Sequence, residues 1–127
     1  MSRKISKDRL SPRAIDALVA EHVMGYETDS YKDNFKSNVG WFSIDDWRPS
    51  TDIAAAWEVV EKLSSENCFH SLCVYYLSSE DNGLDKVYLM DFDYCHSDAD
   101  AHEAEADTAP MAICLAALKA KGITSWD

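Results

Sequence analysis

Apolar residues recur every three to four positions in some stretches of the chain and every second position in others. The first helical stretch opens at Ser11-Pro12, where a good capping residue precedes a proline suited to the first turn. Ile15, Leu18, Val19, His22 and Val23 follow at helical spacing, with His22 ambivalent, and Gly25 supplies a terminator. The pattern predicts a helix over residues 12–24. A second helix begins near Ser50-Thr51-Asp52, any of which can cap it. Ile53, Ala56, Trp57, Val60 and Leu63 carry it to about residue 65. The third opens at Asp107-Thr108-Ala109-Pro110 and runs over 108–121 to Gly122. It is apolar nearly all round, so it is either deeply buried or lies at a subunit interface.

Between the second and third helices the period shortens. Residues 68–77 are rich in β-branched and aromatic side chains, and residues 87–92 form a similar run. Asp81-Asn82-Gly83 between them is a turn signal, so 68–92 reads as an antiparallel hairpin. Two segments are less regular. In residues 26–50 polar residues interrupt Tyr26, Tyr31, Phe35, Val39, Trp41, Phe42, Ile44 and Trp47. This reads as a long ordered loop with one short strand near Trp41–Ile44. Residues 93–107 read as an exposed acidic linker in which Ala alternates with polar residues. The expected fold is α+β: an α-β-α sandwich of about three helices with a small antiparallel sheet. Residues 1–11 form a basic N-terminal extension, and 12–127 a single domain.

The chain has 127 residues, and its 46% hydrophobic content supplies a core. Its formal charge of −11 argues against binding to a nucleic-acid backbone or an anionic membrane surface. That charge is uneven, with +4 over residues 1–13 and −15 over the rest. Seven acids and no Lys or Arg fall between Asp91 and Asp107. No run is long and apolar enough to span a bilayer, and no apolar segment follows the basic start as in a secretory signal. Cys68, Cys73, Cys95 and Cys114 form no C-x-x-C pair. Cys73 and Cys114 read as small core residues and the thiols as reduced, which fits a bacterial cytoplasm.

Three blocks carry a resemblance. They are Ile15–Gly25 (IDALVAEHVMG), Ser50–Lys62 (STDIAAAWEVVEK) and Ala106–Leu118 (ADTAPMAICLAAL). Together, over roughly residues 14–121, they resemble the phage ABA sandwich domain family, small proteins of bacteriophages and prophages. The resemblance implies an α-β-α sandwich and a phage or prophage origin, but no reaction. Residues 26–46 and 93–105 carry none of it.

The residues themselves nominate a few sites. Trp47 and Arg48 precede the Pro49-Ser50-Thr51-Asp52 helix start, where free N–H groups, a guanidinium fork and an aromatic face suit a small anion or nucleotide. The same residues equally suit plain capping under an aromatic lid, and the Asp52 carboxylate would repel a phosphate. Thr108 at the third helix start has the same two readings. The segment His96-Ser-Asp98-Ala-Asp100-Ala-His102-Glu103 holds metal-ligating types at a spacing that fits no standard site, so no metal is expected there. His22 has no evident catalytic partner, and no hydrolase, zincin, Walker or dinucleotide motif occurs.

The expected function is that of a non-enzymatic phage accessory protein without cofactor. It binds a host-derived ligand, with sequestration of a nucleotide defence signal as the sharper form. The expected ligand residues are Trp47, Arg48, Ser50, Thr51 and Thr108. The alternatives are an acidic, DNA-mimicking inhibitor of a host protein and a metal-dependent hydrolase. A homo-oligomer through helix 108–121 is also expected.

Overall fold

The computed structural model describes residues 11–30, 33–37, 39–66, 68–79, 83–94 and 102–123. α1 (Pro12–Leu18) starts as the sequence predicts, with the Ser11 side chain accepting from Ala14 N–H at 3.2 Å. It does not stay α-helical to residue 24. A π turn spans Val19–Val23, closed by Met24 N–H donating to Val19 O at 3.0 Å, and Gly25 ends it at φ +75°. Through this wider turn Val19 and Val23 enter the main core while Ala20 enters a second, smaller one.

α2 (Ile53–Ser64) is capped by Asp52, whose carboxylate accepts from Ala54 N–H at 3.2 Å. α3 (Ala109–Ala120) is capped by the Thr108 hydroxyl, which accepts from Met111 N–H at 3.4 Å. Every residue from Ala112 to Leu118 is buried within the chain itself. Of the two explanations for an all-round apolar helix, deep burial is therefore the one the fold displays. The alanines let α3 lie against α2, α1 and the sheet together.

The hairpin is present and longer than its apolar runs: β4 (Cys68–Ser79) pairs antiparallel with β5 (Gly83–Tyr94), from Cys68↔Tyr94 to Ser79↔Gly83. Asp81 and Asn82 of the expected turn lie outside the described residues. A third strand, β6 (His102–Ala106), pairs with β5, so part of the expected acidic linker is sheet. Its Ala/polar alternation is the two-residue period of a half-buried strand: Ala104 and Ala106 face the core while Glu103 and Glu105 stay exposed.

The expected loop over 26–50 also contains a sheet, formed by β1 (Glu27–Thr28), β2 (Asn34–Ser37) and β3 (Gly40–Ser43), antiparallel in that order. Phe35 is buried beneath it with Ala20 and Ile44. A 3₁₀ turn at Ile44–Asp46 leads toward α2. The architecture is therefore α+β as expected, with two small three-stranded antiparallel sheets in place of one. The main core lies between the helices and the β4–β5–β6 sheet, centred on Met90, Phe92, Ile113, Leu118, Val59, Val60 and Leu63.

Cys114 is buried as expected, but Cys73 is exposed because its place opposite Leu89 puts it on the sheet face away from Met90, Phe92 and the helices. Cys68, Cys73 and Cys114 are free thiols, and Cys95 lies outside the described residues. Among the described residues no helix is long and apolar enough to cross a membrane.

Candidate functional site

The segment from Trp47 to Thr51 is held from three directions. The Ser50 N–H donates to the carboxylate of Asp16 on α1 at 2.8 Å, and the Ser50 hydroxyl donates to Pro12 O at 3.2 Å. Thr51 N–H and Asp52 N–H both donate to Arg48 O, at 3.1 and 2.8 Å. The Arg48 Nε donates to Asp45 O at 3.1 Å. A turn so fixed presents its side chains from a rigid base.

Asp16 is the group that sequence reasoning missed. It sits beside the apolar stripe of α1, is 1% exposed, and has Ser50 as a buried polar neighbour. Burial pushes its carboxyl up to about 6, against the opposing effects of the Ser50 hydrogen bonds and the Arg48 charge. Nothing near Asp16 in the sequence signals this, because its partner lies 34 positions away.

The five nominated residues play different roles. Ser50 is buried and spends its N–H and hydroxyl inward, so it builds the turn and offers little to a ligand. Thr108 caps α3, which is the simpler of its two readings. Trp47 is half-buried and meets Tyr26 and Phe42 edge-to-face, with centroids 5.8 and 6.0 Å away, so its ring is largely a lid over both cores. Arg48 and Thr51 are exposed.

Among the described residues no carboxylate stands within ion-pair distance of the Arg48 guanidinium, and its terminal nitrogens have no hydrogen-bond acceptor. Arg13, by contrast, is bound to both Asp33 and Asp45. Burial, followed by the Glu58 charge, raises the pKa of the nearby Tyr26 hydroxyl, which therefore stays a neutral donor. The α2 N-terminus is occupied by the Asp52 side chain, so of the groups nominated for an anion Arg48 offers the free donors and the helix end does not.

A second surface is acidic. Asp91 and Asp93 of β5 and Glu103 and Glu105 of β6 share the sheet face opposite the helices, with Asp91 directly across from Glu103. The Asp91 Oδ1 is buried without a hydrogen-bond partner among the described residues. Of the candidate metal segment, His96, Asp98 and Asp100 lie outside the described residues; among the described residues no three His, Cys, Asp or Glu side chains converge. His22 is on the surface, 3.8 Å from Glu21. His70, which the sequence did not single out, meets Ser64 Oγ at 3.3 Å, and no carboxylate orients its ring among the described residues.

A model of the phage ABA sandwich domain matches residues 17–118. The chain belongs to the phage ABA sandwich domain family. The match spans both sheets, α2 and nearly all of α3, begins within α1 at residue 17, and places the chain among phage proteins. No curated protein and no solved structure matches it.

Proposed function

We propose that this phage protein acts by binding, not by catalysis, and that it sequesters a small host-derived anion in the bacterial cytoplasm, with a nucleotide defence signal as the class that suits it. The observation that carries this reading is Arg48. Its guanidinium is anchored through Nε to the Asp45 carbonyl on a turn pinned by Asp16, and its terminal nitrogens remain for a planar, bidentate acceptor such as a phosphate. Thr51 adds an exposed hydroxyl one turn position away, and the exposed part of Trp47 adds an aromatic surface. Titration calorimetry with a panel of linear and cyclic nucleotides tests it. Binding that is lost in Arg48→Ala, with an unchanged melting temperature of the free protein, is the expected result. A wild-type chain that binds none of the panel refutes the nucleotide reading.

One observation favours a second reading, that of an acidic inhibitor of a host protein. The four carboxylates on the open face of β5 and β6 form an acidic stripe, in which Asp91 lies directly across from Glu103 with its Oδ1 unpartnered among the described residues. A pull-down of a basic host protein that weakens with salt and is lost in Asp91→Asn/Glu103→Gln would support it. Capture that is insensitive to salt would count against it.

A further inference from the structure

β4 is the outermost strand of its sheet and pairs only with β5 among the described residues. Among the described residues no strand pairs with its other edge, and an edge so placed presents a row of backbone donors and acceptors that invites another strand. Proteins usually blunt such an edge with Lys, Pro, a bulge or simple shortness. β4 uses none of these. It is 12 residues long, contains no charged residue and no proline, and keeps an unbroken register with β5. Large apolar side chains stand exposed on both of its faces: Phe69 at 67% on the outer face, Val74 at 44% and Tyr76 at 57% on the helix side. Trp57 of α2, itself 44% exposed, meets the His70 ring at 5.7 Å and continues the apolar strip off the strand.

We infer that this edge pairs with the same edge of a second copy, antiparallel about a two-fold axis, so that two three-stranded sheets become one of six. Charge selects this occupant. In a chain of −11 whose open sheet face carries Asp91, Asp93, Glu103 and Glu105, most approaches of two copies oppose like charges, whereas β4 brings none. Symmetry agrees, because an antiparallel strand complements itself about a two-fold axis and one edge suffices for a closed dimer. The apolar strip agrees as well, since Phe69, Val74, Tyr76 and Trp57 lose water on both sides of the same contact. α3 cannot serve in its place, because its apolar surface is already covered. The inference does not depend on the Arg48 site.

Sedimentation velocity of the full chain over a concentration series is the test. A species of twice the monomer mass is expected. Val74→Lys/Tyr76→Lys weakens it by at least about tenfold, with the far-UV spectrum unchanged, by placing like charges across the two-fold. Should that variant fail to fold, hydrogen exchange of the wild type decides: β4 amides gain protection with concentration while those of α2 do not. A wild-type chain that stays monomeric overturns the inference. So does a folded double variant that dimerises equally well, or a dimer whose β4 amides exchange independently of concentration, since both assign the contact to another surface.

Discussion

Asp16→Asn isolates the energetic effect of a buried charge. In the wild type the carboxyl titrates at about 6 instead of its ordinary 3.8 because burial disfavours the anion. A group whose folded pKa is raised contributes stability that is full below its unfolded pKa and is lost as pH rises through the folded one. The Asp16 contribution therefore falls between about pH 4 and about pH 6, by about 3 kcal/mol in all. Asparagine keeps an oxygen that can accept the Ser50 N–H at the 2.8 Å position but carries no charge. Near pH 4 a protonated carboxyl and a carboxamide are close in shape, so the two proteins should differ little. Toward pH 7.5 the variant should become the more stable, with the difference growing by about 3 kcal/mol across the window. Urea denaturation followed by tryptophan fluorescence at closely spaced pH values measures this. Taking the difference between the two proteins cancels the titration of the other carboxylates. A difference that stays constant within about 0.5 kcal/mol from pH 4 to pH 7.5, or one that grows in favour of the wild type, refutes the argument.

Other perturbations act through different terms. Glu66 lies 2.6 Å from Lys121 and 3.5 Å from Lys62; burial pushes its carboxyl up, but the hydrogen bond and charge of Lys121, with Lys62, outweigh this and lower it. Its stabilisation is present at neutral pH and is lost as pH falls through the carboxylate range, so Glu66→Gln should flatten the acid limb of a thermal-melt series. Leu118→Ala opens a cavity in a fully buried site and should cost about 3 kcal/mol by denaturant titration. Ala116→Leu at an equally buried position should cost about 2 kcal/mol through overpacking. Asp91→Asn relieves a like-charge pair and a partnerless buried oxygen, and should raise the melting temperature.

The parts of the fold that were legible in the sequence are those whose causes are local. Asp52 and Thr108 cap helices that begin within a residue or two of the expected positions, and the helix and hairpin patterns need no distant information. The β1–β3 sheet was illegible because its strands have only two to four residues. They are held in place by Phe35 beneath them and by Arg13 reaching Asp33 and Asp45 from α1. β6 was misread because small alanines give a weak apolar signal, although they are the residues that let α3 pack close. The π turn leaves no trace in composition. At the candidate site, Arg48 was visible as a residue type and Trp47 as an aromatic. Whether a serine faces a ligand or the interior is decided by Asp16 and Pro12 on another helix, which moves Ser50 from ligand group to scaffold.

Two places depart from the rule that buried positions are apolar or fully paired, and each adjoins a surface with a proposed role. Asp16 keeps an ionisable carboxylate inside the core at neutral pH, where a neutral residue would be more favourable. In exchange the Ser50 N–H is satisfied and the 48–51 turn is fixed to α1, which determines where the Arg48 guanidinium stands. Asp91 keeps a partnerless oxygen beside Glu103 on the open sheet face, where asparagine or threonine would relieve the repulsion. Packing alone explains neither residue. A chain shaped only for stability would have discarded both; the proposed binding reading accounts for Asp16 as the anchor of the Arg48 turn, and the acidic-inhibitor reading accounts for Asp91 as part of the negative stripe.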